Sequence, residues 1–303
     1  MSTLDHQTEQ LSRNRSGSAT DRASQLTADN RSVEVDGATL VYRQFGSPQT
    51  NAPPVLCLQH FRGNLDFWDP ALVDRIAQDR EVILLANRGV GASTGVVPDN
   101  VTDMARDVVL FLGAVGLEQV DLLGFSLGGH IAQELALLRP RLVRRIVLAG
   151  TAPQGGPELH RWSDDVYFHA CADEITAEHA LNVFFSGSEE SRTKGMEYLG
   201  RTQRRQVDRD APTDLATRDA QLAAITAWGI PDASKLNRLA GIIQPTFVAV
   251  GDNDTMMRTK NSQLLAERLP NAHLRIYPDA NHGFLNQYPE LFVDHVKAFL
   301  NAQ

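Results

Sequence analysis

Cysteine is scarce in this 303-residue chain, which contains only Cys57 and Cys171. The two residues are far apart and fit neither a metal-binding nor a redox spacing, so the sequence favours two free thiols over a disulfide. No His-Glu-x-x-His or similar cluster is present, and we therefore expect no metal site.

Long apolar runs and clusters of basic residues are also missing. No hydrophobic stretch is long enough to cross a bilayer, and the N-terminus does not have the basic-then-apolar order of a secretory signal. Lys and Arg number 29 against 37 Asp and Glu, and their dispersal at a net charge of −8 does not suit a phosphate-binding surface. We therefore expect a cytoplasmic protein that acts on a small molecule, without membrane or nucleic-acid partners. The sequence leaves homo-oligomerisation open.

Large apolar side chains are almost absent from residues 1–30, which are rich in Ser, Thr, Gln, Asn, Asp and Arg. Such a segment cannot bury enough surface to offset the entropy lost on ordering. The sequence therefore predicts a flexible N-terminal extension over residues 1–30.

Short apolar runs alternate with helical stretches in the rest of the chain, which is typical of a mostly parallel sheet flanked by helices. The turn Asp36-Gly37 predicts a hairpin, and the later runs suit strands buried on both faces. The predicted strands are Ser32–Val35, Leu40–Phe45, Val55–Leu58, Val82–Ala86, Val120–Leu123, Ile146–Ala149, Thr246–Val250 and Leu274–Tyr277. The fold class is therefore α/β, with eight strands.

Capping residues mark the helix ends. Asp69 followed by Pro70 is typical of a helix start, and Asn100 with Asp103 resembles a capping box for a helix that Gly116 ends. The predicted helices are Pro70–Gln78, Val101–Val115, Ser126–Leu138, Asn261–Arg268 and Glu290–Leu300.

Residues 159–236 interrupt the alternation of strands and helices. The segment has no strand signal, and its aromatic residues include Trp162, Phe184 and Trp228. We expect three or four helices that form a lid (a helical cap) over the carboxyl edge of the sheet, where open α/β sheets bind their ligands. The core domain is then formed by residues 31–158 and 237–303.

The motif Gly124-x-Ser126-x-Gly128 follows a predicted strand and begins a predicted helix. This context is typical of a nucleophile elbow, in which a tight, strained turn raises the serine hydroxyl above the sheet. The two glycines leave room where side chains would collide, and the helix N-terminus adds positive potential. Ser126 is therefore the candidate nucleophile.

A serine hydroxyl needs a base, and the base needs an orienting carboxylate. Around such an elbow the acid and then the histidine follow the serine along the chain. His282 follows the last predicted strand and is the candidate base. Asp252 and Asp254 both follow the strand before it. We favour Asp254, which lies further beyond the strand, and expect Asp252 to cap the turn.

From about residue 32 onward the chain resembles the serine-nucleophile α/β-hydrolases, especially esterases and cofactor-free haloperoxidase-like perhydrolases. In that family a His-Gly-x motif after the third strand supplies an oxyanion-hole amide from residue x. Aligning on Trp68 places Phe61 at x, with Gln59 and His60 in place of His-Gly. The resemblance implies an oxyanion hole made by the backbone N–H groups of Phe61 and Leu127.

Two further histidines and one glycine-rich loop carry alternative interpretations. His130 lies inside the helix after Ser126, so packing is favoured over a role as base, and His60 is interpreted as structural with substrate contact left open. The loop Asn87–Ser93 resembles a family loop, and it is not followed directly by the helix that a dinucleotide site requires. We therefore expect no cofactor.

The sequence thus predicts an ester hydrolase that works through an acyl-enzyme. Serine at the elbow favours attack at a carbonyl, and the aromatic insertion favours a small or medium apolar ester or lactone. The residues predicted to line the substrate pocket are Arg62, Phe125, Trp162, Phe184 and Trp228. The alternatives are a carbon–carbon bond hydrolase of vinylogous diketones, a perhydrolase, and a signal receptor that has kept the hydrolase fold.

Overall fold

The computed structural model describes residues 23–47 and 51–302, which form an eight-stranded sheet with helices on both faces. The strands are β1 (Arg31–Val35), β2 (Ala38–Phe45), β3 (Val55–Leu58), β4 (Val82–Leu85), β5 (Val120–Phe125), β6 (Val143–Ala149), β7 (Thr246–Gly251) and β8 (Ala272–Tyr277). Their order across the sheet is β1-β2-β4-β3-β5-β6-β7-β8. β2 runs antiparallel to its neighbours β1 and β4, and the pairs from β4 to β8 are parallel. The predicted strands and the mostly parallel sheet are confirmed.

The helices of the described residues begin and end close to the predicted caps. They are α1 (Pro70–Ile76), α2 (Val101–Ala114), α3 (Leu127–Leu138), α4 (Asp164–Ala170), α5 (Ala177–Phe184), α6 (Glu189–Thr202), α7 (Leu215–Gly229), α8 (Ala233–Leu236), α9 (Thr259–Arg268), α10 (Phe284–Gln287) and α11 (Pro289–Leu300). The side chain of Asp69 accepts a hydrogen bond from Ala71 N, and that of Asn100 accepts one from Asp103 N. Both predicted N-caps are therefore confirmed.

Alternate side chains of the inner strands pack into two separate hydrophobic cores, one on each face of the sheet. On one face, side chains such as Leu56 and Leu122 pack with helices α2, α3 and α9. On the other face, Cys57 and Leu123 pack with helices α1 and α11. Both faces of these strands are therefore dry, as expected of strands inside a parallel sheet. The last strand, β8, is instead an edge strand with several exposed residues, so the expectation of two buried faces was wrong there.

The insertion, residues 159–236, contains five helices, α4 to α8, instead of the three or four predicted. It leaves the sheet after β6 and returns to it before β7. Two of its helices are short, with seven residues in α4 and four in α8. Such short helices give too few turns for a periodic apolar pattern to be recognised.

The predicted flexible extension, residues 1–30, lies partly outside the described residues. Residues 23–30 are described and are packed on the domain, with Gln25 and Ala28 buried. Gln25 Nε2 donates to the carbonyl oxygen of Leu65 at 2.7 Å, and Gln25 Oε1 accepts from Arg43. The boundary predicted at residue 30 is therefore too late, because polar side chains anchor this segment through hydrogen bonds.

Both cysteines are buried free thiols. In the part of the chain that the structure describes, no helix is long and apolar enough to span a membrane.

Candidate active site

Ser126 lies between β5 and α3 with φ 56° and ψ −116°, a backbone conformation that non-glycine residues rarely adopt. Two hydrogen bonds hold it there. Ser126 N donates to the carbonyl oxygen of Ala149 at 2.9 Å, and Thr151 Oγ1 donates to the carbonyl oxygen of Ser126 at 2.8 Å. The strained turn is thus fixed from the neighbouring strand β6 and the loop that follows it.

The flanking glycines are required by close packing. A Cβ atom at Gly128 would collide with the carbonyl of Leu58 at the end of β3, and one at Gly124 would collide with the backbone of Gly128. The Gly-x-Ser-x-Gly spacing therefore allows helix α3 to start directly against the sheet.

His282 and Asp254 form a buried pair beside this turn. His282 Nδ1 lies 2.8 Å from Asp254 Oδ2, and both side chains are fully buried. The other carboxylate oxygen, Asp254 Oδ1, accepts from the backbone N–H groups of Met256 and Met257 at 3.0 and 2.8 Å. A carboxylate facing Nδ1 places the ring proton on Nδ1 and leaves Nε2 able to accept a proton.

Asp252 points elsewhere. Its two carboxylate oxygens accept from the backbone N–H groups of Asp279 and Ala280, each at 3.0 Å. Asp252 therefore ties the β7 loop to the β8 loop and caps a turn, as expected. Of the two candidate acids, Asp254 is the one that faces His282.

Ser126 Oγ and His282 Nε2 are buried, and neither has a hydrogen-bond partner among the described residues. Both side chains line the same cavity. In proteins without bound substrate, the hydrogen bond between a nucleophile and its base is often long or poorly aligned. The structure thus brings Ser126, Asp254 and His282 together. The hydrogen bond between Ser126 and His282 is not formed in it.

The backbone N–H groups of Phe61 and Leu127 are two donors near Ser126. Neither has an acceptor among the residues that the structure describes. Leu127 N belongs to the first turn of α3, and Phe61 lies in a tight turn closed by a 3.0 Å hydrogen bond from Gly63 N to the carbonyl oxygen of His60. The two amides are therefore available to an oxyanion.

His60 also lines the cavity, and its protonation state is fixed by its surroundings. Its Nδ1 lies 2.8 Å from the carbonyl oxygen of Phe61, which can only accept, so Nδ1 carries the proton of the neutral ring. Burial lowers the pKa of His60 from 6.5 to about 3, and the nearby His282 adds to the lowering. His60 is thus a neutral aromatic wall of the site.

The cavity that contains Ser126 and His282 has a volume of about 850 Å³. This volume is suited to a ligand larger than a few atoms. Its wall comes from the core on one side and from the insertion on the other, including Ile175, Ala180 and Val183. Helices α4 to α6 and the segment before α7 contribute lining residues. The insertion therefore faces the reacting groups, as the lid hypothesis requires.

Two of the five predicted pocket residues, Arg62 and Phe184, line this cavity. Phe125, Trp162 and Trp228 are not among the residues that line it, and each packs against other aromatic rings. Phe125 contacts the rings of His60, Phe184 and His282; Trp162 packs edgewise on Phe61; Trp228 stacks on His130 and donates to the carbonyl oxygen of Ala152. Aromatic content indicated where the insertion lies, but Trp162 and Trp228 pack the insertion against the core.

Arg62 is not a free cation in the pocket. Its guanidinium donates to the carbonyl oxygens of Ala172 and Asp173, at 2.6 and 3.3 Å, beyond the C-terminal end of α4. Burial lowers the pKa of Arg62. Its donors are therefore mainly directed at the insertion and not at a ligand.

Gln221 and Thr213 are residues of the insertion that contact the Phe61–Arg62 turn and that sequence reasoning missed. No local pattern distinguishes a glutamine inside helix α7 or a threonine in the loop before it. The described residues contain no group of three or more His, Cys, Asp or Glu placed to hold a metal ion.

Comparison with known proteins places this geometry in a family. The model of the alpha/beta hydrolase fold matches residues 53–286. An alpha/beta hydrolase fold protein from Chitinophaga pinensis is 42% identical, with a TM-score of 0.87, over 93% of this chain and all of that one.

Two more distant relatives have more specific names. A protein of Caulobacter sp. (strain K31), provisionally named carbamate hydrolase RutD, is 27% identical over 90% of this chain and 99% of its own length. The structure of Est816, described as an N-acyl homoserine lactone degrading enzyme, is 25% identical with a TM-score of 0.69, over 89% of this chain and all of that one. The strained serine turn, the sheet order and these matches agree: the chain belongs to the alpha/beta hydrolase fold family and is a hydrolase.

Proposed function

We propose that the protein cleaves a carboxylic ester or lactone through an acyl-enzyme, with Ser126 as nucleophile, His282 as general base and acid, and Asp254 as the orienting carboxylate. The observation that carries the proposal is the buried 2.8 Å pair of Asp254 and His282, whose free Nε2 shares a cavity with the strained Ser126. This arrangement supplies what a hydroxyl needs to attack a carbonyl.

The reaction follows from the geometry in two halves. His282 Nε2 takes the proton of Ser126 as Oγ bonds to the carbonyl carbon, and the oxyanion receives hydrogen bonds from the N–H groups of Phe61 and Leu127. His282 then protonates the leaving alcohol. Water, deprotonated by the same histidine, attacks the acyl-enzyme, and His282 returns that proton to Ser126 Oγ as the acid leaves. Asp254 stabilises the imidazolium in both halves.

The cavity supports an apolar acyl or lactone substrate. Its volume of about 850 Å³ suits a medium-sized molecule, and apolar lining residues of the insertion such as Ile175, Val183 and Leu199 can contact an apolar acyl group. The likeness to Est816, described as degrading N-acyl homoserine lactones, supports a lactone. Carbamate is a second candidate, favoured by the names of the sequence relatives. The same machinery attacks a carbamate carbonyl, but a carbamate of a few atoms would leave most of the cavity unfilled.

Replacing the nucleophile tests the proposal. Wild-type protein should hydrolyse a short-chain aryl ester over many turnovers, and Ser126→Ala should lower kcat roughly 10⁵–10⁶-fold, because the covalent step is lost. Steady-state assays of both proteins measure this. If Ser126→Ala retains full turnover, the proposal is wrong. If even the wild-type protein releases only one equivalent of alcohol, the receptor alternative is favoured.

Two neighbouring carboxylates offer a matched comparison. Asp254→Asn should lower kcat roughly 10³–10⁴-fold, since the imidazolium loses its counter-charge and the ring loses its tautomer control. Asp252→Asn keeps one of the two oxygen acceptors of the turn and does not alter a contact of His282, so it should change kcat less than about tenfold. A larger loss of turnover in Asp252→Asn would reassign the acid.

A further inference from the structure

The turn that presents the Phe61 amide contains a strained residue. Gly63 N donates to the carbonyl oxygen of His60 at 3.0 Å, so Phe61 and Arg62 are the two central residues of a β-turn. Arg62 has φ 60°, a value for which glycine or asparagine is favoured at the second central position. An arginine keeps this conformation only if contacts from outside the turn hold it.

The backbone and side-chain hydrogen bonds of Arg62 among the described residues all go to the insertion. Its N–H donates to Gln221 Oε1 at 2.7 Å, and its carbonyl oxygen accepts from Thr213 Oγ1 at 2.9 Å. Its guanidinium donates to the carbonyl oxygens of Ala172 and Asp173. The insertion therefore binds this residue from three directions.

The residues after Arg62 are bound to the same part of the insertion. Asn64 Nδ2 donates to the carbonyl oxygen of Ala211 at 3.2 Å, and Leu65 N donates to Asp210 Oδ2 at 2.9 Å. Asp210 N in turn donates to Asp66 Oδ2 at 2.8 Å. The loop from residue 62 to residue 66 is thus joined along its length to residues 210–213.

Gln221 is the most buried of these contacts. It lies inside helix α7 with no exposed surface, so its bond to Arg62 N cannot easily be replaced by bulk water. Buried hydrogen bonds of this kind fix geometry because the unpaired alternative is costly.

We propose that Gln221 and Thr213 are positioning residues, which hold the Phe61–Arg62 turn so that the Phe61 N–H points at the oxyanion. The insertion then contributes to catalysis by stabilising the transition state, in addition to forming the cavity wall. The inference rests on the proposed acyl-enzyme mechanism, in which Phe61 N–H is one of two oxyanion donors. A donor displaced by a fraction of an ångström loses much of its effect.

The test compares binding of a transition-state analogue with binding of the substrate. With an alkyl boronic acid, Ser126 Oγ bonds to boron and its proton passes to His282 Nε2, while one boron-bound oxygen occupies the place of the oxyanion. In Gln221→Met combined with Thr213→Val, the inhibition constant of the boronic acid should rise about tenfold and kcat/KM should fall about tenfold. Both effects are smaller than the roughly 10²–10³-fold loss of rate when a donor is removed outright. The dissociation constant of unreacted ester, measured in a Ser126→Ala background, should stay within about twofold, because ground-state binding does not use the oxyanion hole.

The chain offers matched controls. Thr217 lies one turn before Gln221 in helix α7 and donates to the carbonyl oxygen of Gly89 at 3.3 Å, so Thr217→Val removes another insertion-to-core hydrogen bond that does not touch the turn. It should leave the boronic acid constant unchanged. Gln221→Glu and Thr213→Ser keep the acceptor and the donor, and both should retain tight boronic acid binding. If the double variant does not fold, Thr213→Val alone removes one of the two contacts at a half-buried position and makes the same comparison.

Three outcomes have distinct meanings. If the boronic acid binds wild type tightly and Ser126→Ala is inactive, but the double variant binds the boronic acid normally, the positioning role alone is overturned. It is also overturned if ester and boronic acid binding weaken equally, or if Thr217→Val has the same effect. If Ser126→Ala retains full turnover, the acyl-enzyme mechanism fails and the positioning role fails with it.

Discussion

Three histidines lie around Ser126, and their surroundings give them different roles. Only His282 has a carboxylate at Nδ1. His60 donates from Nδ1 to the neutral carbonyl of Phe61, and His130 stacks on Trp228 with both ring nitrogens buried and unpartnered among the described residues. A carboxylate is needed to stabilise an imidazolium in such a buried place, so the geometry favours His282 as the proposed base.

Burial of a neutral histidine predicts a pH dependence of stability at the residue scale. Burial lowers the pKa of His130 from 6.5 to about 3, with a smaller effect from His282. Between these values the unfolded state binds more protons than the folded state, so the free energy of unfolding falls as pH decreases from about 6.5 towards 3. The slope is at most about 1.4 kcal/mol per pH unit for each such group.

In the variant His130→Phe, the free energy of unfolding should therefore fall less as the pH decreases. The aromatic ring of similar size keeps the stacking on Trp228, and at pH 8 stability should change by less than about 1.5 kcal/mol. Urea unfolding at pH 8 and pH 5 measures the difference, which should shrink in the variant by about 1 kcal/mol or more. His273, exposed on β8, supplies the control variant His273→Gln. If the free energy of unfolding falls by the same amount between pH 8 and pH 5 in wild type and in His130→Phe, the prediction is contradicted.

The positions of the three residues proposed to react could be predicted from local signals. Ser126 lies in a recognisable motif, His282 follows the last strand, and the position of Asp254 beyond β7 favours it over Asp252. Arg62 and Trp162 could not be assigned, because their partners lie more than a hundred residues away in the chain or depend on helix packing. Local sequence carries no record of such contacts.

At the scale of elements, the sheet was more predictable than the insertion. Each inner strand is a bounded apolar run, because both of its faces are buried, so the strands could be identified to within a few residues. The helices of the insertion each bury only part of their surface against several neighbours. Helix α6, for example, has few large apolar residues, and its buried positions include Ser191 and Gly195. Such a helix has a weak apolar pattern, and helix boundaries there depend on capping residues alone.

The junction of β5 with helix α3 gives a prediction at this scale. A Cβ at position 128 would meet the backbone of Leu58, which cannot move without disturbing β3, whereas a Cβ at Gly113 in helix α2 would have nothing within 4 Å. Gly128→Ala should therefore destabilise the protein by about 3 kcal/mol or more. Gly113→Ala should stabilise it by about 0.5 kcal/mol, because alanine loses less entropy in a helix. Chemical denaturation of the two variants is the measurement, and equal effects would refute the steric explanation.

For the whole molecule, the packing of residues 23–30 was the least predictable feature. Its polar composition is typical of an unfolded segment, yet it accepts hydrogen bonds from two buried arginines. Arg205 donates to the carbonyl oxygens of Gln25 and Ala28 at 3.0 and 2.9 Å, and Arg43 donates to Gln25 Oε1 at 3.0 Å. Arg205 belongs to the insertion and Arg43 to β2, so this short segment joins the insertion to the sheet.

Two truncations test that connection. Removal of residues 1–22 takes away none of these contacts. Removal of residues 1–30 takes away the two carbonyl acceptors of Arg205, whereas Arg43 keeps its ion pair with Asp66. A hydrogen bond made by a charged group contributes about 1.5–3 kcal/mol to stability. The longer truncation should therefore unfold with about 2–4 kcal/mol less free energy than the shorter one. Because Arg205 precedes the residues that contact the Phe61–Arg62 turn, the longer truncation should also weaken boronic acid binding. Equal unfolding free energies for the two truncated proteins would show that residues 23–30 lie on the domain without stabilising it.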